Sequence, residues 1–250
     1  MKNEARGKDK GDGVTAPIGN VAQVLRALDR AMNAPPSLDK IVVHNGPSGA
    51  GKSFGASRAA NQHRAYYLEI KPTWTVKALL QNLLKEMEIK PATTIADMAD
   101  QGAEQLALSR RPLILDEFDH LVDRHSLGVE VVRSLHDAAG KAPILLIGEE
   151  HLEKKLRRWE RFHNRVLDWF PTIAATIEDS QKLADLYSPD FEIQRDLLDA
   201  LHRASRGVVR RICINIHRVR EYAVSEDFKK IALEHWKGDF YTGEAPRRSL

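Results

Sequence analysis

The chain has 250 residues, enough to bury the core of one α/β domain plus a small appended domain. With 42% hydrophobic and 29% charged residues the composition is that of a soluble protein, and a net charge of +3 is too small to imply a polyanionic partner unless the basic residues cluster. No hydrophobic run approaches membrane-spanning length and no apolar signal-peptide core opens the chain, so a cytoplasmic protein with no membrane partner is expected.

Residues 1–16 mix Lys, Glu, Gly and Asp with almost no apolar content and are expected to be disordered. Val21, Val24, Leu25 and Leu28 then fall on one helical face, and Pro35-Pro36 ends that helix. Ile41 to His44 reads as a first strand and Lys52 to about Gln62 as a helix. Ala65 to Ile70 is a second strand, Lys71 to Trp74 a loop, and Val76 to about Met87 an amphipathic helix. Thr94 caps another helix that runs to about Leu108, before Arg111-Pro112. Leu113-Ile114-Leu115 is a buried third strand ending at Asp116-Glu117. Leu127 to Ala139 is helical, Gly140 stops it, and Pro143 to Gly148 is a fourth strand. A basic helical stretch from His151 to about Asp168 and a fifth strand over Thr172–Ile177 follow. From about Ser180 onward the pattern is helical with no strand, and there Cys213, between Ile212 and Ile214, reads as a buried structural thiol. Strand–helix alternation followed by helices predicts an α/β nucleotide-binding domain with a parallel sheet over 17–178, a helical lid over 179–237 and a polar tail over 238–250.

The stretch Gly46-Pro47-Ser48-Gly49-Ala50-Gly51-Lys52-Ser53, between a strand and a helix, is the glycine-rich phosphate loop of nucleotidases. Its glycines let backbone amides curl around phosphate oxygens at the positive end of the next helix. Lys52 would reach the outer phosphates and Ser53 would ligate magnesium. Asp116, at the carboxyl end of an apolar strand, supplies the second metal-side ligand, and Glu117 beside it would polarise the attacking water. That neighbouring glutamate favours hydrolysis over phosphate transfer to a bound acceptor. Zinc is not expected, since the ten histidines show no metal-ligand spacing and the cysteine has no companion.

Basic residues cluster twice. Six of them lie between His151 and Arg165, where Arg161 and Arg165, one helical turn apart, could reach a nucleotide in a neighbouring subunit, Arg165 being preferred. Six arginines and no acid lie from Arg203 to Arg220; Arg210 could swing onto the phosphates, and Arg211 belongs to a surface suited to DNA phosphates.

Taken together, the phosphate loop, Ile70-Lys71-Pro72-Thr73, Asp116-Glu117-Phe118-Asp119-His120-Leu121, Arg161 to Val166 and Gly207-Val208-Val209-Arg210 resemble the AAA+ ATPases. Within them the resemblance is to the DNA-transposition regulators of the phage Mu B type, over about residues 20–222. It implies a three-layer domain with a five-stranded parallel sheet and a helical lid, ATP and Mg2+ as cofactors, and subunits assembling as a ring or helical filament on duplex DNA. It further implies a transposase as partner, and the cytoplasm of a bacterial host if a phage or transposon encodes the chain. Arg165 or Arg161 would be the finger, Arg210 the lid sensor, and Lys71, Thr73 and Trp74 would lie near the DNA. The family's sensor position after the fourth strand carries Asn, Thr or Ser, whereas here Gly148 is followed by Glu149, and an ionised carboxylate cannot donate to phosphate. The short N-terminal stretch leaves no room for a helix-turn-helix, so DNA contacts are expected from the core or lid. Two other readings remain: a secretion-type ATPase of the ExeA kind acting on proteins, and a helicase loader.

Overall fold

Aliphatic runs bounded by polar turns pair into a five-stranded parallel sheet in the computed structural model, which describes residues 16–123 and 126–244. In chain order the strands are β1 (Ile41–Asn45), β2 (Tyr66–Glu69), β3 (Leu113–Asp116), β4 (Ile144–Gly148) and β5 (Val166–Pro171), arranged β2-β3-β4-β1-β5. The expected α/β fold with its five parallel strands is therefore what the chain forms. β1, β3 and β4 are buried along their whole length, because helices cover both faces of the sheet. On one face Val42, Ile114, Leu145 and Ile147 meet α1 (Gly19–Met32) and α2 (Lys52–His63). On the other, Val43, Leu68, Leu115 and Leu146 lie under α3 (Val76–Glu86), α4 (Ile95–Ser109), α5 (Asp119–Val122) and α6 (Ser126–Ala138). All five strands run the same way, so their carboxyl ends share one edge, where ligands of such sheets bind.

The helices α9 (Ile177–Tyr187), α10 (Arg195–Ser205) and α11 (Val209–Ser225) build a second core around Leu197, Leu201, Ile212, Ile216 and Val219. Thr176 caps α9 through a reciprocal pair with Asp179, and Asp179 also accepts from the Gly19 amide at 3.1 Å. One carboxylate thus ties the start of the lid to the start of α1.

Three expectations need correction. Residues 151–168 are not one helix but α7 (Leu152–Leu156) and α8 (Glu160–His163), after which the chain is already extended. The fifth strand accordingly lies at Val166–Pro171 rather than Thr172–Ile177. It is an edge strand, half-buried from Val166 to Phe170, and its Asp168 disguises the apolar pattern. The residues expected to form it make the connection to the lid instead: Thr172 N donates to Asn45 O, Ile173 N to Asn20 Oδ1, and Ala175 N to Gly207 O. Finally, the lid is not free of strand, since β6 (Glu192–Ile193) and β7 (Lys230–Ile231) pair in parallel before a 3-10 turn at Leu233–His235. The segment expected to be disordered over 1–16 lies, apart from a buried Ala16, outside the described residues, as does the tail beyond 244.

Candidate nucleotide site

The loop Gly46–Ser53 joins β1 to α2 at the carboxyl edge of the sheet. Gly49 and Gly51 have φ of 79° and 91°, a region side chains avoid, and this turns the loop's backbone back on itself before the helix begins. Asn20, fully buried at the start of α1, donates to Ala50 O at 2.9 Å and to Ile173 O at 2.8 Å, bracing the loop from behind. Lys52 Nζ donates to Gly46 O at 2.7 Å and Pro47 O at 2.9 Å, so its ammonium already lies inside the curl. Burial pulls the Lys52 pKa below its ordinary value, opposed by the charges of Glu117, Asp116, Asp119 and Glu149. His44, just before the loop, is wholly buried; burial lowers its pKa to about 4, and its Nδ1 donates to Phe170 O at 2.7 Å.

Asp116 ends β3 and is 1% exposed. Its Oδ1 accepts from Glu117 N at 2.9 Å and its Oδ2 from the Tyr67 hydroxyl at 3.1 Å. Burial, then the Asp116 charge, drives the Tyr67 pKa up, so this hydroxyl remains a donor. Glu117 has φ 55°, which costs a non-glycine residue roughly 1–2 kcal/mol and turns its carboxylate into the cavity rather than along the strand. Burial and Asp116 raise the Glu117 pKa, against the pull of Lys52, which strengthens it as a base.

Glu149, after β4, faces the same cavity. Its amide donates to Asp119 Oδ2 at 2.6 Å, and Asp119 is in turn paired with Lys155 Nζ at 3.0 Å. Gly148 must be glycine here, because a β-carbon would stand 2.2 Å from the Asp119 carboxylate. From the lid side, Arg210 N donates to Gly49 O at 2.9 Å and the Arg210 side chain lines the cavity. The enclosed space is about 320 Å³, bounded by the loop, Glu117, Glu149, Tyr187, Arg210, Cys213 and Ile214. Phosphate-loop, metal-side and lid groups thus converge on one space of ligand size. Cys213, half-buried, packs against the lid core as expected and also lines this cavity, with its thiol pushed up to about 11 by burial.

Residues 37–156 match the AAA domain family. The fold is an AAA+ fold. No curated protein sequence matches the chain. Solved structures similar to this AAA+ domain include Cdc6p from Pyrobaculum aerophilum, 14% identical with a TM-score of 0.63, aligned over 86% of this chain and 64% of that one. The RuvB Holliday junction branch migration motor of Thermotoga maritima is 19% identical with a TM-score of 0.60, over 87% of this chain and 67% of that one. The Aeropyrum pernix Orc1 protein, in complex with DNA, is 14% identical with a TM-score of 0.57, over 86% of this chain and 62% of that one. The chain thus spans 62% to 67% of the length of these proteins.

The finger candidates lie elsewhere on the AAA+ domain. Arg165 immediately precedes β5, at the amino edge of the sheet, one strand length or about 15 Å from its own phosphate loop. Its Nε donates to Asp137 Oδ1 and its Nη1 to Arg161 O, each at 2.7 Å. Arg161 is in α8 and Arg165 beyond it, so the two do not share the face of one helix as the spacing suggested. Asp137, His136 and Asp39 bring possible ligand atoms within 4.8 Å of one another, but Arg165, Arg133 and Lys141 hold those carboxylates, making this an ion-pair cluster. Lys71 and Thr73 are exposed and Trp74 half-buried in the turn after β2, at the phosphate-loop edge. Tyr67, Asn20 and the lid wall of Tyr187, Cys213 and Ile214 were not foreseen. Only Asp119 carried a local signal, its place in the Asp-Glu-x-Asp run.

Proposed function

We propose that this chain is an ATP-hydrolysing, DNA-associated AAA+ ATPase whose nucleotide state controls assembly on duplex DNA. The observation that carries the reading is the convergence of Lys52, Glu117, Glu149 and Arg210 on one cavity beside the buried Asp116. A buried carboxylate at the strand end, next to the phosphate-loop serine, fits a hydrated magnesium ion held by Ser53 and Asp116. When bound, that ion neutralises charge on the outer phosphates. The chain's own residues do the rest: Lys52 leaves the Gly46 and Pro47 carbonyls for phosphate oxygens, Glu117 orients water and takes its proton, and Arg210 closes the lid side.

The reading places Arg165 in trans. It is on the wrong edge to serve its own phosphates, while the flank of the site away from the lid is an open groove of about 810 Å³ that shares Ser53 and Phe54 with the nucleotide cavity. Phe54, 63% exposed there, suits a subunit contact. Residues 17–178 would form the body and 179–237 the lid of each subunit. DNA association is supported by the arginine cluster of the lid and by the DNA-linked names of the similar structures. The finer assignment, a regulator that delivers target DNA to a transposase, rests on the motif resemblance, and a pull-down of transposase against replicative helicase separates it from a loader. Among the described residues no helix is long and apolar enough to cross a membrane.

Filter retention of a non-specific DNA duplex tests the core of the reading. Retention should require ATP or a slowly hydrolysed analogue and fall steeply with salt. Absence of retention with every adenine nucleotide at low salt, by the chain and by variants that free the arginines of its lid, would overturn it.

A further inference from the structure

The described part of the polar tail is not loose: it lies along one side of α11. Positions 211, 215, 218 and 222 form a stripe on that helix, about 100° round from the stripe of Arg210 and Ile214 that faces the nucleotide. At its centre Asn215, wholly buried, is saturated by the tail. Its Nδ2 donates to Tyr241 O at 3.0 Å and its Oδ1 accepts from Tyr241 N at 2.6 Å, while Ser205 Oγ takes its remaining proton. A buried amide in the middle of a helix has few reasons to be there, and gripping an extended backbone is one. Aromatic rings hold the near end, where Trp236 meets Tyr222 edge-on at 5.3 Å and stacks on Phe240 at 5.7 Å.

What the tail runs beside is basic. The Arg218 guanidinium donates to Asp239 O at 3.3 Å and stands 5.4 Å from the Tyr241 ring. Gly243 presses on the Arg211 guanidinium so closely that a β-carbon there would be 2.7 Å from its Nε. Glu244 reaches Arg206 at 3.9 Å. One main-chain carbonyl, a ring face, Gly243 and the Glu244 carboxylate thus stand against three guanidinium groups that DNA phosphates would use, Arg211 being half-buried under them while Arg206 and Arg218 keep an exposed side.

We propose that Arg206, Arg211 and Arg218 form a duplex-DNA backbone site and that residues 236–244 are a strap that lies along it and competes with DNA for these side chains. The proposal rests on the DNA reading above and adds where the DNA is held and what withholds it. Arg211 is then a DNA contact only in the strap-released state. Trp236 and Phe240 anchor the strap's near end on the lid core, whereas Tyr241 to Glu244 is held chiefly by the Asn215 clamp, so that distal part can be released without unfolding the lid.

The test compares filter retention of the same duplex by the full chain, by Asn215→Ala and by Tyr241→Pro, the second removing the N–H that the clamp needs while leaving the lid core intact. Both variants should bind about tenfold more tightly at fixed salt. Their log–log salt slope should steepen by about two, for two added phosphate contacts. Adding Arg211→Ala and Arg218→Ala to either variant should abolish both changes. Equal or weaker binding by a Tyr241→Pro protein that melts like the wild type overturns the strap while leaving the DNA reading intact. Absence of binding by the full chain and both variants overturns the DNA reading itself. Binding by the variants alone supports both.

Discussion

At the scale of single residues, the proposed hydrolysis rests on Glu117. Its left-handed backbone and elevated pKa set a base beside Lys52. Glu117→Gln keeps the shape and the cavity wall but cannot take a proton. Turnover should fall by about 10²- to 10⁴-fold, while binding of a fluorescent ATP analogue is unchanged; near-normal turnover would assign the water to another group. The loop residues Gly46 to Ser53 and the Asp116-Glu117 pair were legible in the sequence because their geometry is local, a few residues on one turn. Tyr67 and Asn20 were not, since their partners Asp116, Ala50 and Ile173 are 30 to 153 positions away and only the fold brings them near. Cys213 packs on the lid core as its flanking isoleucines suggested, but they do not show that it also faces the cavity.

At the scale of elements, the buried strands were read correctly because both-face burial leaves an uninterrupted apolar run, as in Ile144-Leu145-Leu146-Ile147. β5 was misplaced because an edge strand needs no such run, and Asp168 within it can stay half-exposed, near Arg30. The two-residue strands β6 and β7 carry no periodicity to detect. The lid helix tied to the body is α9, and its cap makes the tie measurable. Thr176→Ala removes a bond to the Asp179 amide at the helix start and should lower stability by about 1 kcal/mol in urea unfolding. An unchanged midpoint would mean that the hold of Asp179 on Gly19 suffices to fix the helix.

Across the whole molecule, acid should loosen the fold through His44. Its folded pKa of about 4 lies below its ordinary value of 6.5. Above pH 6.5 both folded and unfolded states are neutral there, and the contribution is complete. As pH falls from 6.5 towards 4 only the unfolded chain takes the proton, so stability should drop by about 3 kcal/mol across that window. Urea unfolding at pH 7 and pH 4.5 measures this; His44→Gln should flatten the difference, and an undiminished difference in that variant would place the acid sensitivity elsewhere. The same global view separates the two arginine clusters, which look alike in sequence. One runs from Lys155, paired with Asp119 beside the nucleotide cavity, to Arg165, held by Asp137 at the opposite sheet edge; the other spans the end of α10 and α11, with the chain's own tail beside it. Neither placement could be read from charge counting, because both depend on which edge or face the fold presents.

A site finished by a neighbouring subunit is tested most directly by ATP turnover in mixtures of two inactive chains. Arg165→Ala should lose turnover by about 10³-fold or more, and Glu117→Gln should be inactive for the reason given above. Mixed in equal amounts they should recover about one quarter of wild-type turnover, the share of head-to-tail interfaces that join an intact Glu117 to an intact Arg165. No recovery, from proteins that co-assemble, would contradict completion of the site across subunits.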